Sequence, residues 1–200
     1  MPIRRSLWLV IPLLAVGLGL MGAPTPAAAA VETFHRFEVD AIANYTVTEQ
    51  CADGSTSTTL IQVIAGHEEE SEDGVTTLDS DFLTVRLLNF RDCEGNLIND
   101  RGSGEAVFTF SPSLQTASVM GTITTRDGRS VTVDMSWEGV GPLTVTSNTT
   151  TFPGFTGHFV GQERQAVATG TVVVDQETLV SGSTTNARIE TLEDTNISHP

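Results

Sequence analysis

Apolar residues recur at every second position along most of this chain, and no other feature constrains its fold as much. In 117–123, Ala117, Val119, Gly121 and Ile123 share one face, while Ser118, Thr122 and Thr124 take the other. In 131–137, Val131, Val133, Met135 and Trp137 oppose Thr132, Asp134 and Ser136. Phe37, Val39, Ala41, Ala43, Tyr45 and Val47 form a third such row, and Ala106, Phe108 and Phe110 a fourth. A period of two is the mark of strands with one buried face. The runs Leu60–Ile64 and Phe82–Phe90 are apolar on both faces and predict central strands covered on both sides. No helical stripe follows residue 31.

Strands are expected over 34–49, 57–67, 81–91, 104–110, 116–125, 130–137, 142–151, 157–174 and 178–190, separated by turn signals such as Asp53-Gly54, Asp73-Gly74, Asp127-Gly128 and Pro153-Gly154. Parity fixes one hairpin in detail. A two-residue loop at Asp127-Gly128 would turn the two apolar faces opposite ways. A three-residue loop, Arg126-Asp127-Gly128, pairs Ile123 with Val131 and Val119 with Met135, keeping every apolar residue on one face. Such a loop wants a left-handed residue in its last position, where Gly128 stands.

Mostly short connections make sequence neighbours pair antiparallel. The expected fold is therefore all-β, an antiparallel up-and-down meander of about nine strands. Sequential pairing and long strands favour a closed barrel over a two-sheet sandwich. In a meander, the turns after the first and third strands lie at one end. Cys51 and Cys93 occupy those two turns, so a Cys51–Cys93 disulfide is expected. The pattern is broadly similar to lipocalin-like barrels, without their early G-x-W, and implies fold-level analogy only.

Residues 1–30 read as a secretory signal peptide: Arg4 and Arg5, an apolar run from Leu7 to Met21, then Ala28, Ala29 and Ala30 before the cut. The expected product is one secreted β-domain, 31–200, in an oxidising, extracytoplasmic setting, and the Ala-rich, Lys-free chain reads as bacterial. It would keep eight Arg against 25 acids, a net charge of −17, and no Lys. That balance argues against nucleic acid and anionic membrane surfaces as partners. No membrane span is expected once the signal is removed.

The four His (His35, His67, His158 and His199) lack the spacing of a zinc site, and no nucleophile-elbow motif occurs. With one Trp and one Tyr after residue 30, a sugar-stacking groove is not expected. The most unusual run, His67 to Gly74, reads as an acidic solvated loop; its Glu68, Glu70, Glu72 and Asp73 offer hard oxygen ligands for Ca²⁺. No other cofactor is expected. Phe152 and Phe155 flank a Pro-Gly turn and could form a contact at a loop tip. Arg86 stands out within the apolar run 82–90. The functional expectation is an exported, non-enzymatic binding or structural module that could hold a small apolar ligand. The alternatives are an enzyme with polar residues inside a barrel, for which Arg86 is the main candidate, and an envelope interaction protein without a pocket.

Overall fold

The computed structural model describes residues 31–89 and 91–198. The signal segment and His199 lie outside the described residues. The strands are β1 (Glu32–Gln50), β2 (Thr56–Glu72), β3 (Val75–Asn89), β4 (Ile98–Glu105), β5 (Val107–Phe110), β6 (Thr116–Thr124), β7 (Ser130–Gly139), β8 (Thr144–Phe152), β9 (Phe155–Val174) and β10 (Glu177–Ser198). All ten pair antiparallel in one sheet, with no helix among the described residues.

The strand order is β4-β3-β2-β1-β10-β9-β7-β6-β5, with β8 on β9. Two pairings shape the sheet. The first strand pairs with the last, so β1 and β10 form the middle of the sheet. β9, 20 residues long, serves two partners: its Ala166–Val174 half pairs with β7 and its Phe155–Glu163 half with β8.

The expected closed barrel is not formed. The path ends at β4 on one side and β5 on the other. Only Ala106 separates these two strands, and β5 has four residues, so the chain turns a corner without laying a ladder between the edges. An isolated bridge joins Gly102 to Thr125. A two-sheet sandwich is not formed either: one sheet bends over so that its two halves share a core.

That core holds Val39, Val63, Leu83 and Val85 from one half and Val119, Val133, Met135 and Trp137 from the other, all essentially buried. Two hydrogen bonds cross it. Trp137 Nε1 donates to the Ile42 carbonyl at 3.0 Å, and the Tyr45 hydroxyl to the Ala168 carbonyl at 3.4 Å. A buried indole N–H needs such a partner.

The hairpin expected at Asp127 has the expected register: Ile123 faces Val131 and Val119 faces Met135. Thr125 N donates to Arg129 O, which leaves Arg126-Asp127-Gly128 as the loop, with Gly128 at φ +84°. Cys51 and Cys93 form a disulfide spanning 42 residues.

The acidic run is not a loop. β2 continues through Glu72, and only Asp73-Gly74 turns into β3. The N-terminal half of β1 templates it: Arg36 faces Glu70 and Phe34 faces Glu72 in register. Asp73, at φ +51°, accepts from Thr33 N at 2.9 Å and so ties the turn to β1.

Candidate functional site

Alternation sorts the middle of the sheet into two faces. Val39, Ala41 and Ala43 of β1 point into the core, so Arg36, Glu38 and Asp40 lie on the opposite face. Pairing brings them beside Arg188, Glu190 and Leu192 of β10, then Phe159, Gly161 and Glu163 of β9, and Thr144 and Thr146 of β8. The result is a groove of about 430 Å³ outside the core, with Phe159 and Leu192 as apolar wall and Glu38, Asp40, Glu163 and Glu190 as acids.

Asp40 is the most perturbed group. It faces Glu190 directly across the β1–β10 ladder. Its carboxyl is pushed up from 3.8 to about 7, first by burial, then by Glu38 and Glu190; Arg188 opposes this and Glu68 adds to it. The reason that Arg188 does not neutralise it is geometric. Arg188 Nε donates to Glu190 at 2.7 Å, and that hydrogen bond raises the guanidinium pKa. Arg36 is committed likewise, to Glu38 at 3.0 Å and to Glu68. Asp40 Oδ1 is left buried without a hydrogen-bond partner. It sits over Gly66, where a Cβ would meet it at 2.5 Å; glycine therefore makes room for the carboxylate.

The sequence-marked residues fall in different places. Glu68 and Glu70 lie 23% and 29% exposed beside Arg36. Glu72 ends β2, and Asp73 is engaged with Thr33. Among the described residues, no three His, Cys, Asp or Glu side chains gather as a metal-holding set. Phe152 closes β8 and is 61% exposed, opposite Phe155 across the Pro153-Gly154 turn. Arg86 is exposed on the face away from the core, not inside it.

The described histidines are each engaged. His35 meets Glu193 at 3.3 Å, His158 meets Thr149 at 2.9 Å, and His67 Nδ1 meets Asp81 at 2.9 Å. The His67–Asp81 pair has a structural task. Asp81 also accepts from Phe108 N at 3.1 Å, which docks β5 onto β3, and the His67 ring packs against Phe110.

No family model and no curated protein matches this chain. One solved structure is similar in part: a protein described as a candidate AttH from Nitrosomonas europaea, at 13% identity and a TM-score of 0.26. The match covers 82% of this chain and 52% of that one, so the chain spans about half the length of that protein.

Sequence reasoning missed the groove because Glu38 and Asp40 lie about 150 residues from Glu190. A signal was present: in 37–41 the odd positions are apolar and the even ones acidic, which marks a charged face on a central strand. Among the described residues, no helix is long and apolar enough to cross a membrane, and the disulfide is consistent with an extracytoplasmic location.

Proposed function

We propose that the chain is an exported, non-enzymatic binding module that takes its ligand on the outside of its sheet, in the groove between β1, β8, β9 and β10. The ligand class is a small organic cation with an apolar part, such as a primary or quaternary amine on a hydrocarbon body. One observation carries this reading: an apolar wall, Phe159 and Leu192, stands beside a half-buried carboxyl, Asp40, whose Oδ1 has no partner and whose charge is suppressed by burial and then by its acidic neighbours. An incoming ammonium would relieve that repulsion, donate a hydrogen bond to the Asp40 carboxylate and lie against the Phe159 ring. The core between the halves is filled by Trp137, Leu83, Met135 and their neighbours, which favours the outer groove over an interior cup for a small apolar ligand.

Phenethylamine against phenethyl alcohol tests this directly, because the two differ only in the charged head. Amide shifts at Phe159, Gly161 and Leu192 should saturate with the amine and not with the alcohol. Binding should be tighter at pH 8 than at pH 5.5, since the cation competes with the Asp40 proton. Asp40→Asn should weaken it about tenfold, the loss of one charge-assisted hydrogen bond. Equal affinity for amine and alcohol would refute the proposal.

A further inference from the structure

The chain has 25 acids and ten Arg, so every guanidinium could find a carboxylate. Arg36 pairs with Glu38 and Glu68, Arg188 with Glu190, Arg126 with Asp127, and Arg129 reaches Asp100 at 3.9 Å. Among the described residues Arg91 and Arg164 have no carboxylate within ion-pair distance, Arg164 donating instead to the Gly141 carbonyl; Arg86 and Arg101 also lack one. The β3–β4 ladder sets them directly opposite each other, both exposed, and neither guanidinium has a carboxylate or hydrogen-bond partner among the described residues. Like charges directly opposed across a ladder destabilise it. In so acidic a protein, that arrangement calls for an anion from outside.

We propose that Arg86 and Arg101 form an oxyanion site, distinct from the carboxylate groove, which takes a phosphate or sulfate group. The cleft has a volume of about 580 Å³, and its lining includes Thr84, Arg86, Arg101, Ser103 and Arg126. Thr84 and Ser103 are register partners two residues along from the arginines, so they share their face. Their hydroxyls are hydrogen-bonded to each other at 2.8 Å, which leaves one O–H of the pair to donate to an oxyanion. Two guanidinium forks with hydroxyls beside them suit a tetrahedral oxyanion, which accepts bidentate hydrogen bonds.

The third arginine is delivered by a pinned turn. Asp100 is 1% exposed, and its carboxylate accepts from Thr125 Oγ1 at 2.5 Å, Arg101 N at 2.8 Å and Asp127 N at 3.2 Å. Arg126 N donates to Arg101 O at 2.8 Å, and its side chain reaches Asn99 O. Gly102 allows this approach, because a Cβ there would meet Thr124 O at 2.7 Å. The seam between the two sheet edges thus holds Arg126 beside the opposed pair on rigid elements. Three arginines in one cleft, in a chain of net charge −15, suit a single group and not a nucleic-acid strand, which needs a long basic track.

The test titrates the full chain with sodium sulfate, sodium phosphate and a sulfated disaccharide, at constant ionic strength made up with chloride. Sulfate should raise the melting temperature of the wild type saturably and shift the Arg86 and Arg101 Nε–H resonances. Arg86→Gln alone should raise the melting temperature in anion-free buffer, because the opposed charges are gone, and should weaken sulfate binding at least tenfold. Tighter binding of the disaccharide than of free sulfate would identify an ester as the source; equal binding would identify the free anion. A sulfate effect of equal size in wild type and Arg86→Gln would mark general exclusion from the surface and overturn the proposal. So would the absence of any saturable shift. The groove and this cleft use different residues, so either reading can fail alone.

Discussion

Asp40→Asn separates the electrostatics of the groove from everything else that titrates. The Asp40 carboxyl is raised from 3.8 to about 7, chiefly by burial. Between those values, the folded chain keeps a proton that the unfolded chain has released. Raising the pH through that window therefore lowers stability, and the loss is complete above about pH 7. Three units at about 1.4 kcal/mol each set a ceiling of about 4 kcal/mol. Asp40 opens onto a solvent-filled groove, so screening cuts this to about 1–2 kcal/mol. Asparagine keeps the shape and carries no charge. Urea unfolding of both proteins from pH 5 to pH 8.5 gives the difference between them, in which contributions from groups remote from Asp40 cancel. The variant should gain on the wild type as the pH rises and level off above about pH 7.5. A difference independent of pH, or one that favours the wild type at pH 8, would refute the reasoning.

Two further outcomes follow from the core and the disulfide. Replacing both Cys51 and Cys93 by Ser should lower stability by about 3–4 kcal/mol, from the entropy that a 42-residue separation restores to the unfolded chain, with an unchanged far-UV spectrum; an unchanged melting temperature would count against this. Trp137→Phe keeps a ring in the core but leaves the Ile42 carbonyl without its donor across the fold. It should cost about 2–3 kcal/mol, read as a lower urea midpoint at constant slope.

The fold was legible where burial imposes a period of two. Ile123 against Val131 and Val119 against Met135 follow from parity alone, because a slip of one residue would turn Trp137 out of the core. Position along a meander was enough to join Cys51 to Cys93. β4 was illegible for the opposite reason. Ile98–Glu105 reads INDRGSGE, with no apolar alternation, and its inward positions are Asp100 and Gly102. Pairing with β3 makes it a strand, and that is a tertiary fact. The acidic stretch of β2 is similar: composition says loop, but a preceding strand with Arg36 in register makes it ladder. The β1–β10 pairing is the one that a closed meander would make; the sheet opens instead between β4 and β5, where the unreadable β4 meets a strand of four residues.

The candidate sites divide along the same line. Arg86 showed itself as the one charge inside an apolar run, but its counterpart Arg101 sits in the unreadable β4, so the opposed pair could not be inferred. Asp40 showed only as an even-numbered acid on an odd-numbered apolar strand; Glu190 reaches it from the far end of the described chain. Both clefts lie on the face that the core does not use, and there the usual selection for apolar residues is absent. A charge placed there without a partner, Asp40 at the middle of the sheet and Arg86 with Arg101 near its edge, costs the fold stability and contributes nothing to packing. Its role is therefore to be sought in what it can bind, and the opposite signs of the two clefts mean that one titration series, cation against anion, can tell them apart.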